Sequence, residues 1–251
     1  MAGADAVSGQ ASPAAVAASG EASRGPSVPA SASIPALVPI LLVLTFVTGL
    51  VDAISYLKLG HVFVANMTGN VVFLGLALAD AKDFSMAASI LALVTFLLGA
   101  VAGGRLGVAM GQQRGRLLAV AITVEIALVT LALALSMLLP LVGPASDDAQ
   151  RTYALIALLA VAMGVQNAVA RRLAVPDLTT TVLTLTLTGL AADSTLAGGA
   201  GPRPARRLLA TAIMFGGAAV GAGLILRVGL PAALILTLTV LVGSGIASFR
   251  I

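Results

Sequence analysis

The sequence predicts an all-α membrane protein with about six full transmembrane helices, two broken or re-entrant half-segments and two inverted repeats. Three observations carry that prediction: apolar runs of bilayer length, a series of polar and glycine landmarks that occurs twice, and an uneven spacing of lysine and arginine.

The apolar runs come first. Hydrophobic residues make up 59% of the 251-residue chain and charged residues 10%, whereas soluble domains carry roughly 25% charged residues. Eight apolar segments stand out, at 36–56, 61–79, 85–110, 116–142, 152–170, 173–192, 206–229 and 231–248. A helix rises about 1.5 Å per residue, so about 20 residues cross a hydrocarbon core roughly 30 Å thick. Both faces of each run are apolar, which excludes the alternating pattern of a transmembrane β-barrel. The net charge is +4, but the arginines sit at the ends of apolar runs, not along one stripe. They read as membrane-orientation charges, and no nucleic-acid partner is expected. The chain has no cysteine and one histidine, His61, which leaves no disulfide framework and no multi-histidine metal centre.

Residues 1–33 are rich in Ala, Ser, Gly and Pro without an apolar period and read as a disordered tail. The tail lacks the apolar block of a secretory signal, so the first hydrophobic helix is expected to stay in the mature protein. Residues 34–251 then form a single transmembrane domain, with repeat one at 36–142 and repeat two at 152–248.

The second and sixth segments differ from the others. Their first halves, HVFVANMTG and LAVPDLTTT, hold β-branched, turn-forming and polar residues. Their second halves read as short helices, so each segment is an extended piece leading into a half-helix.

The doubled landmarks link the two halves. Gly49-Leu-Val-Asp52-Ala53 matches Gly164-Val-Gln-Asn167-Ala168, with Asp52 opposite Asn167. Asn66-Met-Thr68-Gly-Asn70-Val71 matches Asp177-Leu-Thr179-Thr-Thr181-Val182. FLLGAVAGG from Phe96 matches FGGAAVGAG from Phe215. Three matches in one order indicate duplication of a four-segment unit, although small-residue apolar helices also resemble one another by composition.

The cations choose between two topologies. If all eight segments cross, seven Lys and Arg fall on each side and no orientation is favoured. If the second and sixth dip in and return, the N-terminal side holds ten, from Arg24 through Arg105, Arg114 and Arg116 to Arg250, against Lys58, Lys82, Arg151 and Arg227. The positive-inside rule then gives six crossings of a cell (inner) membrane with both termini cytoplasmic. Each repeat crosses three times, so the two have opposite topology, a recurring plan of secondary transporters.

The stretch GLVDAISYLKLGHVFVANMTGNVVFLGLALA, Gly49 to Ala79, resembles the signature of the YoaK family of bacterial multi-pass membrane proteins. Gly49, Asp52, the Gly60-His61-Val62-Phe63 turn and Asn66-Met67-Thr68-Gly69-Asn70 carry the resemblance. It runs from about residue 36 to the C-terminus. It implies a compact inner-membrane protein of about six helices and implies no activity.

Several polar residues are candidates for function. Asp52 lies near the end of the first helix, where an ionised group marks a cavity, a pair or an ion path. A pairing with Lys58 or a backbone donor is the structural alternative. Gln166 and Asn167 mirror Asp52 in the second repeat. Asn66, Thr68 and Asn70 stand where extended chain becomes helix, and Thr68 or Asn70 is expected to cap it. A half-helix N-terminus within the membrane also offers free N–H groups to an anionic solute. Asp177, Thr179, Thr180 and Thr181 supply the matching end, or the threonines bond back to helix carbonyls. These residues are the expected solute site: Asp52, Asn66, Thr68, Asn70, Gln166, Asn167, Asp177, Thr179 and Thr180.

Glu125 stands alone among Ile, Val, Ala and Leu in the fourth segment. Hydrocarbon disfavours its anion, which makes it a candidate for proton coupling beside the alternative of a bond to a neighbouring helix. Glycines 99, 103, 104 and 107, and 216, 217, 221 and 223, form small-residue faces for close helix packing. GAVAGGRLG has no strand before it and is no dinucleotide loop. No cofactor is expected.

These features point to a small secondary transporter or permease for a polar or anionic solute, held in the lipid bilayer, with a homo-oligomer left open. A structural or regulatory membrane protein is the alternative. A membrane-embedded enzyme is disfavoured, because one histidine, no cysteine and no serine–histidine constellation leave little for general-base or metal chemistry.

Overall fold

The computed structural model describes residues 34–110, 113–138, 147–175, 183–199 and 204–250. Its helices are α1 (Ile34–Lys58), α2 (Met67–Leu78), α3 (Met86–Met110), α4 (Arg114–Leu138), α5 (Asp147–Leu173), α6 (Leu183–Ala192), α7 (Pro204–Arg227) and α8 (Leu230–Ser248). Six of them, α1, α3, α4, α5, α7 and α8, are long and apolar enough to cross a membrane. The α2 helix is apolar but has only 12 residues, and α6 has 10. The fold is all-α with six membrane-spanning helices, and no strand occurs among the described residues.

The helices stay apolar by spending their hydroxyls internally. Thr45 donates to Leu41 O, Thr48 to Leu44 O, Thr95 to Leu91 O and Thr123 to Ala119 O. Such back-bonding gives a donor its partner where lipid offers none.

The central helices are α1 and α5. In their most apolar windows 67% and 61% of residues are buried, against 28% in α3 and 22% in α7. Each central helix lies along one outer helix, α1 along α7 and α5 along α3. Glycine sets both approaches. A Cβ at Gly49 would overlap Met214 O, and one at Gly217 would overlap Phe46 O. Likewise a Cβ at Gly164 would overlap Phe96 O, and one at Gly99 would overlap Val161 O. Gly221 faces Leu50 O and the Ala53 methyl, as Gly103 faces Val165 O and the Ala168 methyl. Residue numbers rise together along each pair, so both crossings are parallel. Backbone-to-backbone contact of this kind is how small residues hold helices together in lipid.

Corresponding positions in the two crossings differ by constant offsets. The α1 positions 46, 49, 50 and 53 correspond to 161, 164, 165 and 168 on α5, which is 115 residues. The α3 positions 96, 99, 100 and 103 correspond to 214, 217, 218 and 221 on α7, which is 118 residues. The sequence match placed Phe96 on Phe215. The contacts instead place it on Met214, because backbone approach at the glycines fixes the register and the aromatic ring does not. Gly104, Gly216 and Gly223, expected in the same packing faces, meet nothing within 4 Å.

The chain's path between helices follows from which ends meet. Lys58 and Leu59 at the end of α1, Arg151, Thr152 and Leu155 of α5, and Gly229 and Leu230 at the α7–α8 junction line one cavity. Arg151 donates to Ser136 O near the end of α4 at 2.7 Å. His61 Nδ1 lies 3.2 Å from Asp83 O, just before α3. The end of α1 and the starts of α3, α5 and α8 therefore share one end of the bundle. Residues 59–85 leave this end and come back to it. The end of α5 and the start of α7 share the opposite end. There Arg207 forms an ion pair of 2.7 Å with Asp193.

Candidate functional site

Asp52 organises the first broken segment. It is 4% exposed and lies six residues inside the end of α1, about 9 Å along the axis. Its Oδ1 accepts from the backbone N–H groups of Val64 at 3.1 Å and Ala65 at 2.9 Å. Its Oδ2 accepts from the Asn66 side-chain amide. The extended stretch after His61 is thereby folded back against α1, and backbone donors that would otherwise meet lipid are satisfied.

Asn70 closes the same turn from the other side. Its Oδ1 accepts from Phe63 N at 2.8 Å, and its amide donates to Phe63 O. Asn70 is fully buried and acts as a backbone clamp, not as the helix cap expected from the sequence. The residue at the cap position of α2 is Asn66, and its side chain makes no capping bond, because Asp52 holds it. Thr68, the other expected cap, is exposed.

A ring cluster packs over this turn. Phe63 stacks on Tyr56 with centroids 5.5 Å apart, Phe73 stacks on Phe84 at 5.0 Å, and Phe63 and Phe73 meet at 5.5 Å. His61 touches Tyr56 edge-on at 5.1 Å. Aromatic burial and the Asp52 and Asn70 bonds fix the segment from opposite sides.

On α5, Gln166 is 1% exposed. Its amide donates to Thr48 Oγ1 at 2.9 Å and approaches Leu44 O at 3.5 Å, and this contact joins the two central helices. Its Oε1 is buried without a hydrogen-bond partner. Asn167 donates to Met163 O at 2.8 Å. By the 115-residue offset Asn167 occupies the position of Asp52. Asp177, Thr179, Thr180 and Thr181 lie outside the described residues.

The structure thus brings Asp52, Asn66 and Asn70 into one knot and places Gln166 against α1. Lys58 does not pair with Asp52. Glu125 is far from the knot in sequence, on α4, and is fully buried with neither carboxylate oxygen partnered. Among the described residues no cluster of His, Cys, Asp or Glu could hold a metal.

Two features were missed in the sequence. The Thr48–Gln166 bond is one; its signal was a threonine one turn before Asp52 on the same helix. The other is the cavity of about 460 Å³ at the end of the bundle, where Lys58 and Arg151 meet Thr152 and the start of α8. Its residues come from three places in the chain, and no local motif announces it.

Comparison with known proteins places the chain. Residues 40–247 match a family model described as "Protein of unknown function (DUF1275)". The chain is 34% identical over 154 residues, 61% of its length, to the UPF0700 transmembrane protein YoaK of Bacillus subtilis (strain 168). That match spans 65% of the relative's own length. No solved structure matches the chain. With six membrane-spanning helices and a family model covering most of its length, the chain is an integral membrane protein that belongs to the DUF1275 family.

Proposed function

We propose that this protein is a small secondary transporter or permease for a polar or anionic solute, built from two inverted repeats, with both termini in the cytoplasm. The doubled crossing carries the reading: α1 meets α7 through the same positions by which α5 meets α3. Each parallel pair combines one helix from each half of the chain, and the Thr48–Gln166 bond joins the pairs. A broken segment that returns to its own end of the bundle, beside such a pseudo-two-fold, is the layout of inverted-repeat transporters, whose substrates bind where the repeats meet. The orientation rests on the ten-to-four division of cations.

In this reading the solute meets Gln166 and Asn167 where the central helices touch, and Asp177, Thr179 and Thr180 complete the site from the second broken segment. Thr68 serves at the start of α2. Asp52, Asn66 and Asn70 hold the first segment in position beside the solute. Gln166 Oε1 supports this division, being a buried acceptor that no donor among the described residues fills. The role is non-enzymatic.

Thermal-shift screening of purified protein against small polar and anionic metabolites, followed by uptake of the hits into proteoliposomes, tests the proposal. A solute that stabilises the protein and enters only protein-containing vesicles is the expected result. Single cysteines at Gln113 and Ala205, both exposed, should react only with membrane-permeant reagents from outside the cell. Opposite labelling of the two would break the six-crossing orientation.

A non-transporting membrane protein is the second reading. The occupation of Asp52, Asn66 and Asn70 by the turn they hold favours it. Binding hits without uptake, or no hits at all, would select it.

A further inference from the structure

Glu125 is the twelfth of the 25 residues of α4, midway along a membrane-spanning helix. It belongs to the buried stripe Leu118, Ile122, Glu125, Val129, Ala132 and Ser136. The stripe faces α5 and α8; at α8, Ile122 and Ile126 lie against Gly245.

Neither carboxylate oxygen has a hydrogen-bond partner, and the surroundings explain why. The buried hydroxyls of α8 are Thr237, Ser244 and Ser248, and each donates to its own helix, to Ala233 O, Val240 O and Gly245 O. The Gln166 amide of α5 is taken by Thr48. Among the described residues no cation faces the group either. The helix α8 has no titratable residue within its span. Those of α5 lie in its terminal turns, Asp147, Asp148, Arg151 and Tyr153 at one end and Arg171 and Arg172 at the other. On α4 itself Arg114 and Arg116 lie about two turns or more away. The only titratable residue of α3 is Arg105, which is exposed. A carboxylate enclosed in this way lacks both a donor and a counter-charge, and the one ligand small enough for the sealed seam is a proton.

We propose that Glu125 is a reversible proton-binding site. The proton enters from water when the α4–α8 seam opens, forms the O–H bond of a neutral carboxyl, and returns to water when the seam opens again. The proposal rests on the transporter reading and deepens it, since it assigns the coupling ion. It concerns proton binding by the protein alone, so it is tested without any solute.

Infrared difference spectra of the full-length protein in lipid nanodiscs, recorded across a pH series in H2O and D2O, read the carboxyl directly. The expected result is a protonated-carboxyl band that disappears in Glu125→Gln, shifts in D2O, and falls reversibly as pH rises while the protein stays folded. If Glu125→Gln does not fold, displacement of the band in Glu125→Asp makes the assignment. An assigned band that keeps its intensity throughout the folded pH range would mark a fixed structural acid and overturn the proposal. Absence of any band assignable to position 125 would overturn it equally. Failure of solute uptake with a titrating Glu125 would remove the transporter reading and leave the proton site standing.

Discussion

The α1–α7 and α3–α5 crossings use corresponding residues, while the polar positions beside them differ. Gly49 and Gly164 each meet a carbonyl of the neighbouring helix, and Gly217 and Gly99 answer from the other side. Three residues on from the first pair stand Asp52 and Asn167, an acid in one half and an amide in the other. The contrast shows which constraint is stricter. Where one backbone lies on another, no side chain fits, and only glycine will serve. At the polar position Asp52 accepts from Val64 and Ala65, whereas the Asn167 amide donates to Met163 O. The packing positions hold glycine in both crossings, and the polar positions hold different chemistry.

The largest expected effect comes from filling a crossing. Gly49→Val, Gly217→Val, Gly99→Val and Gly164→Val should each destabilise the protein by about 3 kcal/mol or more, because a rigid backbone, not a flexible side chain, occupies the space. Gly104→Val and Gly216→Val, whose Cβ positions meet nothing within 4 Å, should change stability by no more than about 0.5–1 kcal/mol. Thermal melts in detergent measure both sets. If the two halves respond unequally, the equivalence of the crossings fails.

Much of this arrangement was legible in the sequence, for identifiable reasons. Span length and apolar composition are local quantities, so the six long helices were readable within a few residues at each end. The first broken segment was readable too, since Asn66, Thr68 and Asn70 interrupt an apolar run. The role of each polar group was not legible. Asn70 reaches back seven residues to Phe63 and Asp52 reaches forward to Val64 and Ala65, and such pairings depend on how the chain turns. The matching contact positions Gly49 and Gly164 were visible in the sequence, yet the match on α7 was off by one, because an alanine- and glycine-rich helix gives nearly the same match at adjacent offsets. The cavity at Lys58 and Arg151 is purely tertiary.

Exchanging the two differing polar residues gives the next effect. Asp52→Ala removes the acceptor of two backbone N–H groups and of the Asn66 amide, and should cost about 2–3 kcal/mol, the range for losing charged hydrogen-bond partners in a buried site. Asp52→Asn keeps one acceptor oxygen for the backbone and gives up the carboxylate's hold on Asn66, for a loss of about 1 kcal/mol. Asn167→Asp tests the converse. If the second half tolerates the acid as the first does, its stability should stay within about 1 kcal/mol of the parent. A collapse of Asn167→Asp alongside a neutral Asp52→Asn would show that the charge belongs to one half only, and that the offset relating 52 to 167 carries no functional equivalence.

The smallest effect is expected where the helix pairs meet. Thr48→Val removes the oxygen that accepts from Gln166 and, with it, the hydroxyl that donates to Leu44 O, so the change deletes two neutral hydrogen bonds, one of them a back-bond within the helix, and leaves the Gln166 amide near Leu44 O. A loss of about 1 kcal/mol follows. Gln166→Leu removes the donor of the contact together with the unpartnered Oε1, a group whose burial is itself unfavourable, and Thr48 keeps its own bond to Leu44 O. Its cost should be no greater than that of Thr48→Val, although it takes away the larger polar group. The two outcomes separate the proposed roles of Gln166. If Gln166→Leu leaves the melt near that of the parent and abolishes binding of a solute found by thermal shift, the buried oxygen is present for a ligand. If it unfolds the protein while Thr48→Val does not, Gln166 holds the central helices together through contacts other than this bond, and the solute site must lie elsewhere in the seam.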